Sequence, residues 1–333
     1  MTRIGITHHT PTLSGDCGGT DLHLVRVTEA LSELGDIVRL PVDATLPERL
    51  CGSDIDIVYN MARGEAGAYE RFHVAELCEH FALPFTGGRA SAHSVTGSRI
   101  RLKEVLRAHD IPAAACSIVT SRSELGAFAR RRFPMEVFRS IDLPGPRRTS
   151  VARDYPELQE LVTTLLGESP EPLSVEPHLD GASFSCLLVG NGRSRTMLPP
   201  VAVDAGRYAQ ERKPVVERIP IGMLEDLESL ARRAADAVGC RDIALIDVGL
   251  SESGVPTVVG VDALPLLGCT RSDDVATLAA TAAGVGMREV VQRCLLAAAE
   301  RSHLRLPRAP VLARLPRFTP PRGLPAFTAR PPA

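Results

Sequence analysis

The stretch Ala244 to Pro265 places the strongest constraint on the fold. It reads Ala-Leu-Ile-Asp-Val-Gly-Leu-Ser-Glu-Ser-Gly-Val-Pro-Thr-Val-Val-Gly-Val-Asp-Ala-Leu-Pro, two apolar runs joined by a short Gly-containing turn, with an acid on each run. That pattern predicts an antiparallel hairpin. Strand side chains alternate between faces, so Gly260 and Asp262 point the same way. Folding about Ser253 and Gly254 sets Asp247 opposite Gly260. Asp247 and Asp262 then share one face, close enough to hold a hard cation such as magnesium. The same face lacks a side chain at Gly260.

Ahead of the hairpin the pattern is different. Residues 3–7 read as a strand, followed by a Gly-rich loop from His8 to Gly19. A helix starts at about Thr20, with Leu24, Val27, Leu31 and Leu34 at helical spacing and Gly35 as a stop. Strands are expected at Ile37–Leu40 and Ile55–Tyr59, and a helix near Tyr69–Phe81. This alternation predicts an open, mainly parallel α/β unit. A helix-strand unit at Ser98–Val119, a strand at 134–138, a loop at 142–148 and a helix at Leu158–Leu166 follow. From Leu173 the strands lengthen: Leu173–Pro177, Phe184–Val189 and Met197–Val203. An amphipathic helix, Met223–Val238, ends at Gly239. A last helix spans about Met287–Arg301, and the segment from His303 to Ala333 is rich in Pro and Arg, which reads as a disordered basic tail.

Composition narrows the classes. A chain of 333 residues holds two or three domains, and a net charge of −2 with few aromatics gives no nucleic-acid surface. No apolar run is long enough to span a bilayer. The N-terminus enters a strand-like run directly, without a signal-peptide pattern, so a cytoplasmic location is expected. The 8 cysteines form no CxxC pair and read as free thiols.

In order and spacing, several phrases resemble the D-alanine–D-alanine ligase branch of the ATP-grasp superfamily. They are Asp56-Ile-Val-Tyr-Asn-Met-Ala-Arg-Gly, Ala82-Leu-Pro-Phe-Thr-Gly-Gly, Leu102-Lys-Glu-Val-Leu, Ser174-Val-Glu-Pro-His-Leu-Asp-Gly, Leu198-Pro-Pro-Val, Ala237-Val-Gly-Cys-Arg and Asp262-Ala-Leu-Pro. The resemblance implies an ATP-grasp fold: an N-terminal open parallel α/β domain (1–93), a central lid (94–173) and a C-terminal antiparallel-sheet domain (174–302), ahead of the 303–333 tail. It implies ATP and magnesium as cofactors, a carboxylate activated as an acyl phosphate, and an amine that attacks it. It also implies an amino acid or peptide substrate and pairing as a homodimer.

Carried over residue by residue, the resemblance gives a partial site. The first phosphate-facing lysine of the family falls on Arg99, which keeps the charge; the second falls on Phe138, which does not. Arg139 is one residue along, and a one-residue shift on a strand points it to the opposite face. Glu176 falls where the family meets the base, and Ser183 takes the place of the ribose-binding Glu. Tyr208, Glu211 and Lys213 match a Tyr-x-x-Glu-x-Lys pattern in which the lysine reaches the terminal phosphate. Asp21, at a helix start, lies near the position that grips the substrate amino group. Asp247 and Asp262 match two metal ligands; the bridging Glu falls on Gly260, and the oxyanion-steadying Arg falls on Leu245.

Two readings follow. One is a degenerate ATP-grasp homologue without normal ligase turnover, acting as a binding or partner subunit. The other is an active ligase with a rebuilt site, in which Arg99 and Lys213 carry the phosphate charge and Asp247 and Asp262 hold one metal ion.

Overall fold

The computed structural model describes residues 2–8, 20–62, 68–139, 150–179, 181–204, 213–215, 219–251, 254–267 and 274–306. The first elements are β1 (Arg3–His8), α1 (Thr20–Ser32), β2 (Asp36–Pro41), α2 (Leu46–Gly52), β3 (Ile57–Asn60) and α3 (Ala68–His80). Their strands form a parallel sheet in the order β2-β1-β3, and Phe85 bridges to Val58 in parallel beside it. Helix α2 is short, with Pro47 in its first turn, where a residue without an amide leaves no donor unpaired.

The next elements are α4 (Ala90–Thr96), α5 (Arg99–Ala108), β4 (Ser117–Val119), β5 (Met135–Arg139), β6 (Ser150–Ala152), α6 (Tyr155–Glu168) and β7 (Leu173–Pro177). These four strands form an antiparallel sheet in the order β4-β7-β5-β6. One face, with Val137, Val175 and Leu173, packs on Leu158 and Val162 of α6. The other face carries Glu136, Phe138, Ser174 and Glu176, because Glu136 pairs with Glu176 and Phe138 with Ser174.

The remaining elements are β8 (Ser183–Val189), β9 (Thr196–Met197), β10 (Val201–Asp204), β11 (Lys213–Val215), α7 (Ile221–Val238), β12 (Ile243–Leu250), β13 (Pro256–Asp262), α8 (Val275–Ala282) and α9 (Met287–Arg301). The strands form a sheet in the order β11-β10-β8-β12-β13, with β9 on β8. The single strand expected over Met197–Val203 is two, interrupted at Pro199-Pro200, where no amide is available for the ladder. Gly239 ends α7 in the left-handed conformation at φ 80°. At the start of the expected tail, Leu304 and Leu306 pack on the same cluster as α9, and residues 307–333 lie outside the described residues.

This third sheet is covered on both sides. Phe184, Cys186, Ile246 and Val248 pack on α7 and α5, while Leu187, Val189 and Ile243 pack with Ile4 and Ile6 of β1 and with α1 and α9. Asp242 ties these layers together. It is fully buried at φ 60°, accepts from the Gly87 amide (3.0 Å) and Asn191 Nδ2 (2.7 Å), and pairs with Arg301 at 2.9 Å. Arg301 in turn donates to the Phe85 carbonyl. Among the described residues, no helix is long and apolar enough to cross a membrane. Cys51, Cys78, Cys116, Cys186, Cys240 and Cys294 are free thiols.

Candidate functional site

From Leu245 to Asp247 the hairpin register is the one expected from the sequence, and beyond Asp247 it is shifted by one residue. Asp247 lies opposite Gly260, and Asp262 opposite Leu245. Across the other edge of β12, Asp247 pairs with Ser185 and Gly249 with Ser183 of β8. One face therefore carries Ser183, Ser185, Asp247, Gly260 and Asp262. A register shift after Asp247 bends the hairpin beyond this point. Ser185 donates to Asp247 Oδ1 at 2.6 Å, and Asp262 Oδ1 accepts the Leu264 amide at 3.0 Å. Ser185 was not singled out in the sequence, yet its strand parity with Ser183 was the signal that could have found it.

Arg99 and Glu176 meet directly. Ser98 caps α5 and sets Arg99 at the first turn. Arg99 forks onto Glu176, Nε to Oε1 at 2.5 Å and Nη2 to Oε2 at 2.8 Å. The guanidinium lies over the Phe138 ring, 3.4 Å from its centroid. Lys103, four residues along the same helix face, reaches Glu176 at 3.3 Å and the Val258 carbonyl at 3.2 Å. Ser174 donates to Glu176 Oε1 at 2.8 Å, and Cys116 contacts Ser174 at 3.1 Å. The side chains of Arg99 and Glu176 are 14% and 2% exposed, so the pair sits in low dielectric.

These contacts move proton affinities. Burial opposes ionisation of Glu176, but the hydrogen bonds and charge of Arg99, the charge of Lys103 and the Ser174 hydroxyl outweigh it and hold its pKa below the ordinary glutamate value. Burial pulls the Lys103 ammonium below the ordinary lysine value, against the charge of Glu176. Burial also raises the Cys116 thiol.

The other expected residues fall as follows. Arg139 points to the opposite face of its sheet and pairs with Glu168 of α6 at 2.6 Å. Glu136 holds His178 Nδ1 at 2.6 Å, on the Glu176 face of β5. Lys213 opens β11 opposite Asp204, at the sheet edge. Asp21 lies in the first turn of α1. Tyr208 and Glu211, with the 142–148 loop and Ser253, lie outside the described residues. Among the described residues, no three His, Cys, Asp or Glu side chains converge as a metal cluster.

A parallel α/β sheet, an antiparallel four-stranded sheet and a covered antiparallel sheet, in this order, make a fold shared with solved D-alanine–D-alanine ligases. The D-alanine–D-alanine ligase of Bacillus anthracis, solved in complex with ATP, superposes with a TM-score of 0.70 at 18% identity, over 91% of this chain and 99% of that one. A D-Ala:D-Ser ligase from Enterococcus faecalis gives 0.68 at 13% identity, over 89% and 99%. In sequence, the chain is 27% identical over 285 residues to the D-alanine–D-alanine ligase of Moorella thermoacetica, covering 80% of this chain and 90% of that protein. It is 28% identical over 280 residues to D-alanine–D-alanine ligase B of Pseudomonas putida, covering 80% and 84%. No protein-family model matches the chain.

Proposed function

We propose that this chain is a ligase-like ATP-grasp protein in which ordinary amide-forming turnover is absent or greatly reduced, and that it acts as a binding or partner subunit. The observation that carries this reading is the buried Arg99–Glu176 fork over Phe138. Acyl-phosphate chemistry depends on cations and donors held ready for phosphate oxygens. In this chain two of the Arg99 donor nitrogens already serve Glu176, and the guanidinium face lies on an aromatic ring. Glu176, the acid expected beside the base, is itself held by Arg99, Lys103 and Ser174. The nucleotide therefore fits this part of the cleft poorly.

A second reading has its own support. Asp247 and Asp262 share a face with Ser185, and magnesium binds through one or two carboxylates completed by phosphates and water. On this reading one ion would be held by Asp247 and Asp262, where it would neutralise phosphate charge. In that reading the chain is an ATP-dependent carboxylate–amine ligase acting on small amino acids or peptides, with Lys213 as a further phosphate contact.

ADP release with Mg-ATP and a panel of amino acids and short peptides separates the two. The first reading expects no release above background. Robust release that Asp247→Ala abolishes overturns it. Absence of any thermal shift with millimolar Mg-ATP overturns the second.

A further inference from the structure

The four-stranded sheet and helix α5 belong to different cores. The sheet packs its interior on α6, with Val119, Leu173 and Val175, whereas α5 packs Leu102 and Leu106 with α7, β12 and β13. The chain crosses between the two twice. On the way in, Ala113 bridges to Val258 and the Val258 amide donates to the Pro112 carbonyl at 2.8 Å, while Ser117 already pairs with Val175 in the sheet. The first crossing is therefore at 114–116. On the way out, the His178 amide donates to the Pro134 carbonyl beside β5 at 3.1 Å, whereas Leu179 lies over Gly249 and the Ala182 carbonyl accepts from the Leu250 amide at 2.9 Å. The second crossing is therefore just after His178. Because β4 and β7 are antiparallel neighbours, both crossings lie side by side at one end of the sheet, as in a two-strand hinge.

The Arg99–Glu176 fork sits against this hinge. Glu176 precedes His178 by two residues, and the β4–β7 register carries Cys116 opposite it. Arg99 and Lys103, both on α5, hold Glu176 at 2.5 and 3.3 Å. Lys103 also donates to the carbonyl of Val258, the residue to which the incoming crossing is tied. Arg99 in addition covers Phe138 of β5. A contact this close to a hinge acts on an angle, so a small slip at Glu176 becomes a larger swing at the far end of the strands, by Leu173 and Arg139. The pair is buried, so solvent does not screen it as it screens a surface pair. We propose that Arg99, Lys103 and Glu176 form a hinge lock. While it is closed, the four-stranded sheet and α6 are held at one angle to the rest of the chain; once it is broken, they turn as a unit about the two crossings. The lock uses the fork that carries the proposed function but not that reading itself, because it requires no nucleotide and none enters its test.

The test places nitroxides on Glu160 of α6 and Glu225 of α7, both exposed, through p-acetylphenylalanine, which leaves the native cysteines untouched. Double electron–electron resonance on the labelled full chain then gives the distance distribution between the two units. The parent is expected to show one narrow distribution. Glu176→Gln removes the counter-charge and is expected to widen it at least about twofold. Hydrogen exchange should leave the amides of the β5–β7 ladder as protected as in the parent, because the sheet turns without coming apart. Arg99→Lys keeps the charge but not the two-point fork, and is expected to widen the distribution to a lesser extent. A parent distribution that is already broad, or one left unchanged by Glu176→Gln, overturns the lock. Loss of protection across β5–β7 also overturns it, since the pair would then belong to the folding of the sheet itself. If Glu176→Gln does not fold, Arg99→Lys decides, and a distribution as narrow as the parent's overturns the lock.

Discussion

Arg99 and Glu176, separated by 77 positions, form a two-point ion pair beneath the surface, closed on one side by the Phe138 ring and on the other by Lys103. It joins α5 to β7, so a contact expected to serve a ligand also serves the packing of the chain.

Removing the acid should therefore be costly. Glu176→Gln leaves Arg99 and Lys103 buried without a counter-charge and is expected to destabilise the fold by about 3–5 kcal/mol. Denaturant unfolding of the two proteins at neutral pH measures this. A difference below about 1 kcal/mol would mean that water already screens the pair.

The same pair sets a pH dependence. Glu176 ionises more easily folded than unfolded, so its stabilisation is present above the ordinary glutamate pKa and is lost as pH falls through the lower folded value. The stability gap between the wild-type chain and Glu176→Gln should accordingly shrink in acid. Urea melts at a series of pH values below neutrality follow it; a gap that stays constant would contradict the assignment.

Asp242 is the second buried acid with a defined load. Asp242→Ala strands Arg301 and unties Gly87 and Asn191, with an expected loss of about 3–5 kcal/mol. Thermal or denaturant melts report it. If the ion pair is what matters, Arg301→Ala in the Asp242→Ala background should add little.

The hairpin face offers a gain-of-binding experiment. Gly260→Glu adds a carboxylate directly opposite Asp247 and two residues from Asp262. Without metal, three acids on one face should lower stability; manganese or magnesium should restore it, as a cation-dependent rise in melting temperature absent from the parent. No differential shift between the variant and the parent would place the two aspartates too far apart to share an ion.

Local chemistry made much of the fold legible in the sequence. Gly239 marks the end of α7 because its left-handed φ suits a residue without Cβ, and the hairpin register follows from strand parity about a Gly-containing turn. Several elements escaped, among them α2, α4, β6, β11 and α8. Helix α2 is short with Pro47 in its first turn, α8 is a run of small residues with little amphipathic contrast, and the Pro199-Pro200 interruption splits what reads as one strand. The site was legible in part. Asp247 opposite Gly260 came from alternation alone, whereas the Arg99–Glu176 pairing joins segments with no local signal between them. Only Lys103, one helical turn from Arg99, carried a hint.

The stack of Arg99 on Phe138 makes the two positions a single unit of change. A lysine introduced at 138 alone would meet the Arg99 guanidinium instead of an aromatic face, and a lysine at 99 alone could not reproduce the fork on Glu176. Substitutions at 99 and 138 are therefore expected to be non-additive, and a double-mutant cycle across the two positions reads that coupling directly.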